Sequence, residues 1–201
     1  LNTVDFVSDS EVMPLLREMG ITPEPAEENM VRLRMMEDPS VARYAIRMRG
    51  RTIETTGGGP TDIELSEEDL IPTLLRVMHR LHLDQIIIIP VGKWANVLDA
   101  VAFAMAEDEQ WLEFDAAATV ERNTRDPLLC LPADVHLLDT LISALITDAD
   151  QADQGLVLTS VASPVIFEIV PGVGAEVTIG APALADEVTS VLRQYGIPDH
   201  H

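Results

Sequence analysis

Apolar residues recur three and four apart at Val12, Leu15, Leu16 and Met19, with Asp9 and Ser10 ahead as caps and Gly20 behind as a stop. That spacing predicts a short amphipathic helix. The same periodicity returns at Leu70, Leu74, Val77, Met78 and Leu81, then at Val97, Leu98, Val101 and Met105 after Trp94. It returns again at Val135, Leu138, Leu141, Ile142 and Leu145 after Asp134, and at Leu184, Val188, Val191 and Leu192 between Pro182 and Gly196. Thr22-Pro23 predicts a further helix reaching Met30, Leu33 and Met36, because proline is tolerated in a first turn. Ahead of Leu70, Ser66 to Asp69 has the form of a capping box, but Pro72 would interrupt a helix begun there, which favours Asp69 as the cap.

Other stretches alternate or run apolar. Ile86, Ile87, Ile88 and Ile89 are four successive β-branched residues, the pattern of a strand buried on both faces, and they predict a central strand at about 85–91. Residues 156–161, 165–170 and 176–179 are separated by Ser163-Pro164 and Pro171-Gly172, which predicts an antiparallel meander over about 155–180. Short strands are expected at 62–65, 111–119 and 128–131. Ala42, Tyr44, Ile46 and Met48 alternate with Arg43, Arg47 and Arg49, predicting a strand over 42–54 with the arginines on one side, although Val41, Tyr44, Ala45 and Met48 also fit a helical face. The glycine-rich run at 55–61 is the best boundary in the chain.

These elements predict an α+β fold, a mixed sheet with packed helices. Residues 1–56 are expected to form an N-terminal part with the Arg-rich segment, packed on a main α+β domain over 60–198. The units at 62–89 and 128–161 echo each other, as two capped-helix units patterned by the same physics do.

Composition narrows the functional classes. With 47% hydrophobic and 23% charged residues, the 201-residue chain is a folded protein despite a net charge of −21. That charge disfavours nucleic-acid binding through a broad basic face. No apolar run approaches the roughly 18 residues of a membrane span. The single cysteine, Cys130, cannot form an internal disulfide, which points to a cytoplasmic setting. No function is assigned to the ends, Leu1 and His200-His201. The basic residues are segregated: Arg32, Arg34, Arg43, Arg47, Arg49 and Arg51 fall in twenty residues whose only acids are Glu37 and Asp38, a local charge of +4.

Two places could hold an anionic ligand. Gly92-Lys93-Trp94 follows the isoleucine strand, where a strand-to-helix turn offers N–H groups, an ammonium and an indole, without the other residues of a phosphate-binding loop. Arg122, Asn123 and Arg125 lie in a dense polar loop whose guanidiniums could grip a carboxylate or pair with Glu121 and Asp126. Arg43, Arg47, Arg49 and Arg51 form a candidate interaction surface, directed at an acidic surface of the same domain or of a second copy.

Metal and nucleophile patterns are incomplete. His79 and His82 are three apart beside Arg76 and Arg80; Asp148, Asp150 and Asp153 lack the other positions of a calcium loop; Cys130 with His136, and Ser160 and Ser163, carry no nucleophile motif. No cofactor and no metal are expected. The reading is a non-enzymatic interaction or regulatory domain that self-associates or binds another protein. Its rivals are a sensor or enzyme for a small anionic ligand at the Gly-Lys-Trp turn, and DNA binding by a helix-turn-helix within residues 9–50 with Arg43 and Arg47 on the recognition helix.

Overall fold

The computed structural model describes residues 4–6, 9–25, 31–36, 38–55, 59–83, 85–92, 107, 112, 128–130, 139, 142, 143, 146 and 154–195. In chain order these hold β1 (Val4–Phe6), α1 (Asp9–Glu18), β2 (Ile21–Pro25), β3 (Val31–Met35), β4 (Ala42–Met48), β5 (Thr61–Leu65), α2 (Glu67–Arg80), β6 (Ile86–Gly92), β7 (Leu128–Cys130), β8 (Gln154–Ser160), β9 (Val165–Val170), β10 (Gly174–Ile179) and α3 (Pro182–Leu192). A 3₁₀ turn, Arg193–Tyr195, follows α3. The helix expected after Trp94, the strand at 111–119, most of the helix from Asp134 and the acidic turn at Asp148 to Asp153 lie outside the described residues.

Eight strands form one mixed sheet in the order β1-β7-β6-β8-β9-β10-β4-β5, and β2 and β3 form a separate hairpin, so the fold is α+β. Every pairing in the large sheet is antiparallel except β4 with β5. The isoleucine quartet lies inside this sheet, between β7 and β8, and each of the four residues is at most 4% exposed. Successive side chains of a strand point to opposite faces. Ile86 and Ile88 accordingly join one core with α2 and α3, while Ile87 and Ile89 join a second core with Val12 and Leu16 of α1 and Leu33 and Met35 of the hairpin.

The meander is built by its turns. Thr159 Oγ1 donates to the Val165 carbonyl (2.7 Å) across the Ser163-Pro164 turn, and Gly172, at φ 66°, lets the β9–β10 turn close with Val173 N–H on the Val170 carbonyl (3.1 Å). On the helix side, Tyr44 Oη reaches the Ala185 carbonyl and Thr189 Oγ1 (both 3.0 Å), Thr73 Oγ1 meets Tyr195 Oη (2.8 Å), and Arg80 pairs with Glu187. These contacts fix α2 and α3 over the sheet. Burial of the Tyr44 ring holds its hydroxyl above the usual tyrosine pKa, with Thr189 pulling it back and the Asp186 charge adding to the rise.

Four expectations are corrected. The helix predicted from Thr22-Pro23 through Met36 is the β2–β3 hairpin: Leu33 and Met35 are buried while Arg32 and Arg34 are exposed, a period of two. This removes the helix-turn-helix, since β4 is also extended where a recognition helix was required. The helix ahead of Leu70 is capped by Ser66, whose Oγ accepts from Asp69 N–H (3.2 Å). Pro72 sits inside that helix on an exposed position, where the carbonyl it leaves unpaired can meet water. Finally, β4 ends at Met48 rather than near Glu54, because a turn at Arg49-Gly50, with Gly50 at φ 73°, redirects the chain.

Candidate functional site

The face of the sheet opposite α2 and α3 divides in two. Over β6, β8 and part of β9 it is apolar and roofed by α1 and the hairpin. Over β9, β10, β4 and β5 it is polar, because alternation places Glu168, Glu176, Thr178, Arg43, Ala45, Arg47, Asp62 and Glu64 there while their neighbours enter the helix-side core.

Arg47 is the hub of this polar half. Its Nε donates to Asp62 Oδ1 (2.8 Å) and its Nη2 to Asp62 Oδ2 (2.7 Å), a bidentate pair. Its Nη1 reaches Glu64 Oε2 (3.1 Å) and the Arg51 carbonyl (2.7 Å). The side chain is 17% exposed, and the bonds to Asp62 push its pKa above the ordinary arginine value. The same bonds outweigh partial burial at Asp62 and hold that carboxyl below its usual value. Arg49 Nε approaches Glu64 Oε1 at 3.5 Å, and on the hairpin Arg34 Nη1 bonds Glu24 Oε1 at 3.0 Å. Arg47 and Arg49 thus meet an acidic strand of their own chain, the first of the two destinations open to the arginine stripe.

Beside this hub lies an open groove of about 360 Å³, lined among others by Ala45, Arg47, Arg51, Thr52, Thr55 and Asp62. Arg51 is exposed, and among the described residues its guanidinium has no ion pair. Gly92 ends β6, four strand steps from β4 and so roughly 19 Å away across the sheet. Lys93, Trp94, Arg122, Asn123 and Arg125 lie outside the described residues. The His79 and His82 ring centroids are 6.3 Å apart, and among the described residues no three His, Cys, Asp or Glu side chains are grouped to hold a metal. No described helix is long and apolar enough to cross a membrane.

One feature of this face was invisible in the sequence. Glu176 stands directly opposite Glu168 in the β9–β10 ladder and opposite Ala45 in the β10–β4 ladder, and it is only 8% exposed. Like charges placed opposite each other destabilise a sheet. Burial first, and the Glu168 carboxylate second, raise the Glu176 pKa; Arg43 and Arg32 pull it back. The folded state therefore holds this proton at a pH where the unfolded chain has released it. Its contribution to stability is complete below the ordinary glutamate value and is lost as pH rises through the raised folded value. Glu176→Gln is accordingly expected to raise the melting temperature at neutral pH, with the gain shrinking toward about pH 4, where glutamate is itself protonated. A variant less stable than wild type at neutral pH would refute the assignment. Asp62 runs the other way: its contribution is present above the ordinary aspartate value and is lost as pH falls through the lowered folded value.

No protein-family model matches the chain, and neither the curated proteins nor the solved structures contain a significant match to it.

Proposed function

We propose that this chain is a non-catalytic interaction or regulatory domain that associates with copies of itself in the cytoplasm, through the corner of the sheet made by β4 and β5. The local charge balance at that corner carries the reading. Residues 42–65 hold four arginines against three carboxylates, a net of +1, so the rest of the chain carries −22 of the total −21. Two copies repel over most of their surface and least at this corner. The arginines act by neutralising Asp62 and Glu64 rather than by reaching for a foreign acidic patch. A lone cysteine fits a reducing compartment.

Salt then works in one direction. Screening the repulsion between acidic surfaces strengthens association, whereas a contact made by an unpaired basic stripe would weaken. Light scattering at low and high salt is expected to give a mass rising from 22.0 kDa toward twice that value with concentration, and more steeply at high salt. A one-chain mass under both conditions would overturn the proposal.

The groove supports a second reading, binding of a small carboxylate or phosphate, because Arg51, which has no ion pair among the described residues, stands at its lining with the Thr52 and Thr55 hydroxyls. A ligand at 100 times its dissociation constant stabilises by about 2.7 kcal/mol, so a thermal shift with inorganic phosphate or a dicarboxylate, abolished in Arg51→Ala, is the expected result of that reading. A shift that survives Arg51→Ala, or none at all, removes it.

A further inference from the structure

We infer that the self-association joins two copies edge to edge along β5, antiparallel about a two-fold axis through Ile63, so that two eight-stranded sheets continue into one; this rests on the reading of the chain as self-associating. Among the described residues β5 ends the sheet, with β4 as its one paired neighbour. Arg49 N–H donates to the Leu65 carbonyl (2.9 Å), so Leu65 turns its backbone groups toward β4. Strand alternation turns those of Thr61 and Ile63 the same way, and those of Asp62 and Glu64 outward to the open edge. Each copy thereby presents two N–H donors and two carbonyl acceptors in a row.

That row is complementary to itself. With Ile63 on the axis, Asp62 faces Glu64 of the second copy and Glu64 faces its Asp62, each pair exchanging two backbone hydrogen bonds, four in all. Such a pairing would ordinarily set carboxylates against carboxylates, which is how natural sheets guard an edge. Here the guard is cancelled within each chain. Asp62 is held in the bidentate pair with Arg47, Glu64 is bonded by Arg47 and approached by Arg49, and the seam of two copies carries four acids against four arginines. The side chains of Asp62 and Glu64 are 54% and 40% exposed, so they lie against solvent and not inside the fold. On the other face Ile63 and Leu65 belong to the helix-side core, which the second copy's Ile63 would extend. A second copy is favoured over a foreign acidic strand because its β5 brings the arginines that cancel its own acids, while a strand bearing uncancelled acids would be repelled.

Residue-resolved amide exchange of the whole chain, at dilute and concentrated protein, tests this. The Asp62 and Glu64 amides are expected to exchange freely when dilute and to slow about tenfold or more on association, while those of Ile63 and Leu65, already bonded to β4, change little. Association seen by light scattering with no slowing at Asp62 and Glu64 would overturn the edge-to-edge geometry and leave self-association standing. A mass fixed at one chain at every concentration would overturn both. Slowing on the addition of an unrelated β-strand peptide to dilute protein, equal to that on self-association, would also overturn the preference for a second copy.

Discussion

Phe167→Ala is expected to remove about 3–5 kcal/mol of unfolding free energy, a large part of the roughly 5–15 kcal/mol of an ordinary domain. Phe167 is fully buried in the middle of β9, opposite Val177 of β10 and Leu158 of β8, and all three lie in the core under α2 and α3. The ring is enclosed by strands on both sides and helices above, so the walls cannot collapse into the space it leaves, and the transfer loss and the cavity both count. Urea denaturation followed by circular dichroism measures it. A loss below about 1 kcal/mol would mean that the site relaxes freely and that the core is not packed as described.

Gly174→Ala is expected to cost about 3 kcal/mol and to abolish self-association with it. Gly174 opens β10 at φ 157°, and a methyl group there would sit 2.1 Å from the Ile46 carbonyl oxygen and 2.8 Å from the Arg47 Cα. These are backbone atoms of the adjacent strand, which no rotamer change can move. The Gly174–Arg47 pairing has to open, displacing the residue that bridges Asp62 and Glu64. Gly180 offers a contrast: a methyl there meets first the sulfur of Met35, at 2.5 Å, and that side chain can shift. Denaturation and light scattering on the two alanine variants check both halves of the expectation. Gly174→Ala matching wild type in stability would show that β10 and β4 are not held this closely.

Much of the fold was legible because period and punctuation agreed. Ile86 to Ile89 had no polar position to offer solvent and proved covered on both faces. The meander followed from three β-rich runs between Pro-containing turns, and the faces of α1, α2 and α3 from 3.6-residue spacing, although Leu15, expected on the apolar face of α1, is exposed. The hairpin at 21–35 was missed because Met30, Leu33 and Met36 happen to fall three apart. The stronger information lay in Arg32 and Arg34 alternating with Leu33 and Met35, and in Pro23 and Pro25 two apart.

The polar face was legible only in part. The arginines of β4 were visible as one side of a strand, and Asp62 and Glu64 alternate with Ile63 and Leu65 in the same way. Nothing local announces that β4 and β5, twelve residues apart and joined through glycines, run parallel and side by side. Register between strands is a long-range property, and for the same reason the juxtaposition of Glu168 with Glu176 could not be read from two isolated acids in apolar runs. Of the first ligand-site expectation only Gly92 is among the described residues, and it ends β6 in the other half of the sheet from the groove.

Pairing of two copies along the charge-balanced edge of β5 is decided by sedimentation equilibrium of wild type beside Glu64→Pro at high salt. The Glu64 amide points away from β4, so proline there spares the backbone ladder, removes one donor from the open edge and takes away the carboxylate that Arg47 and Arg49 reach, with circular dichroism confirming that the variant is folded. The wild-type mass is expected to approach twice 22.0 kDa while the variant stays at one chain. Equal masses for the two folded proteins would contradict it.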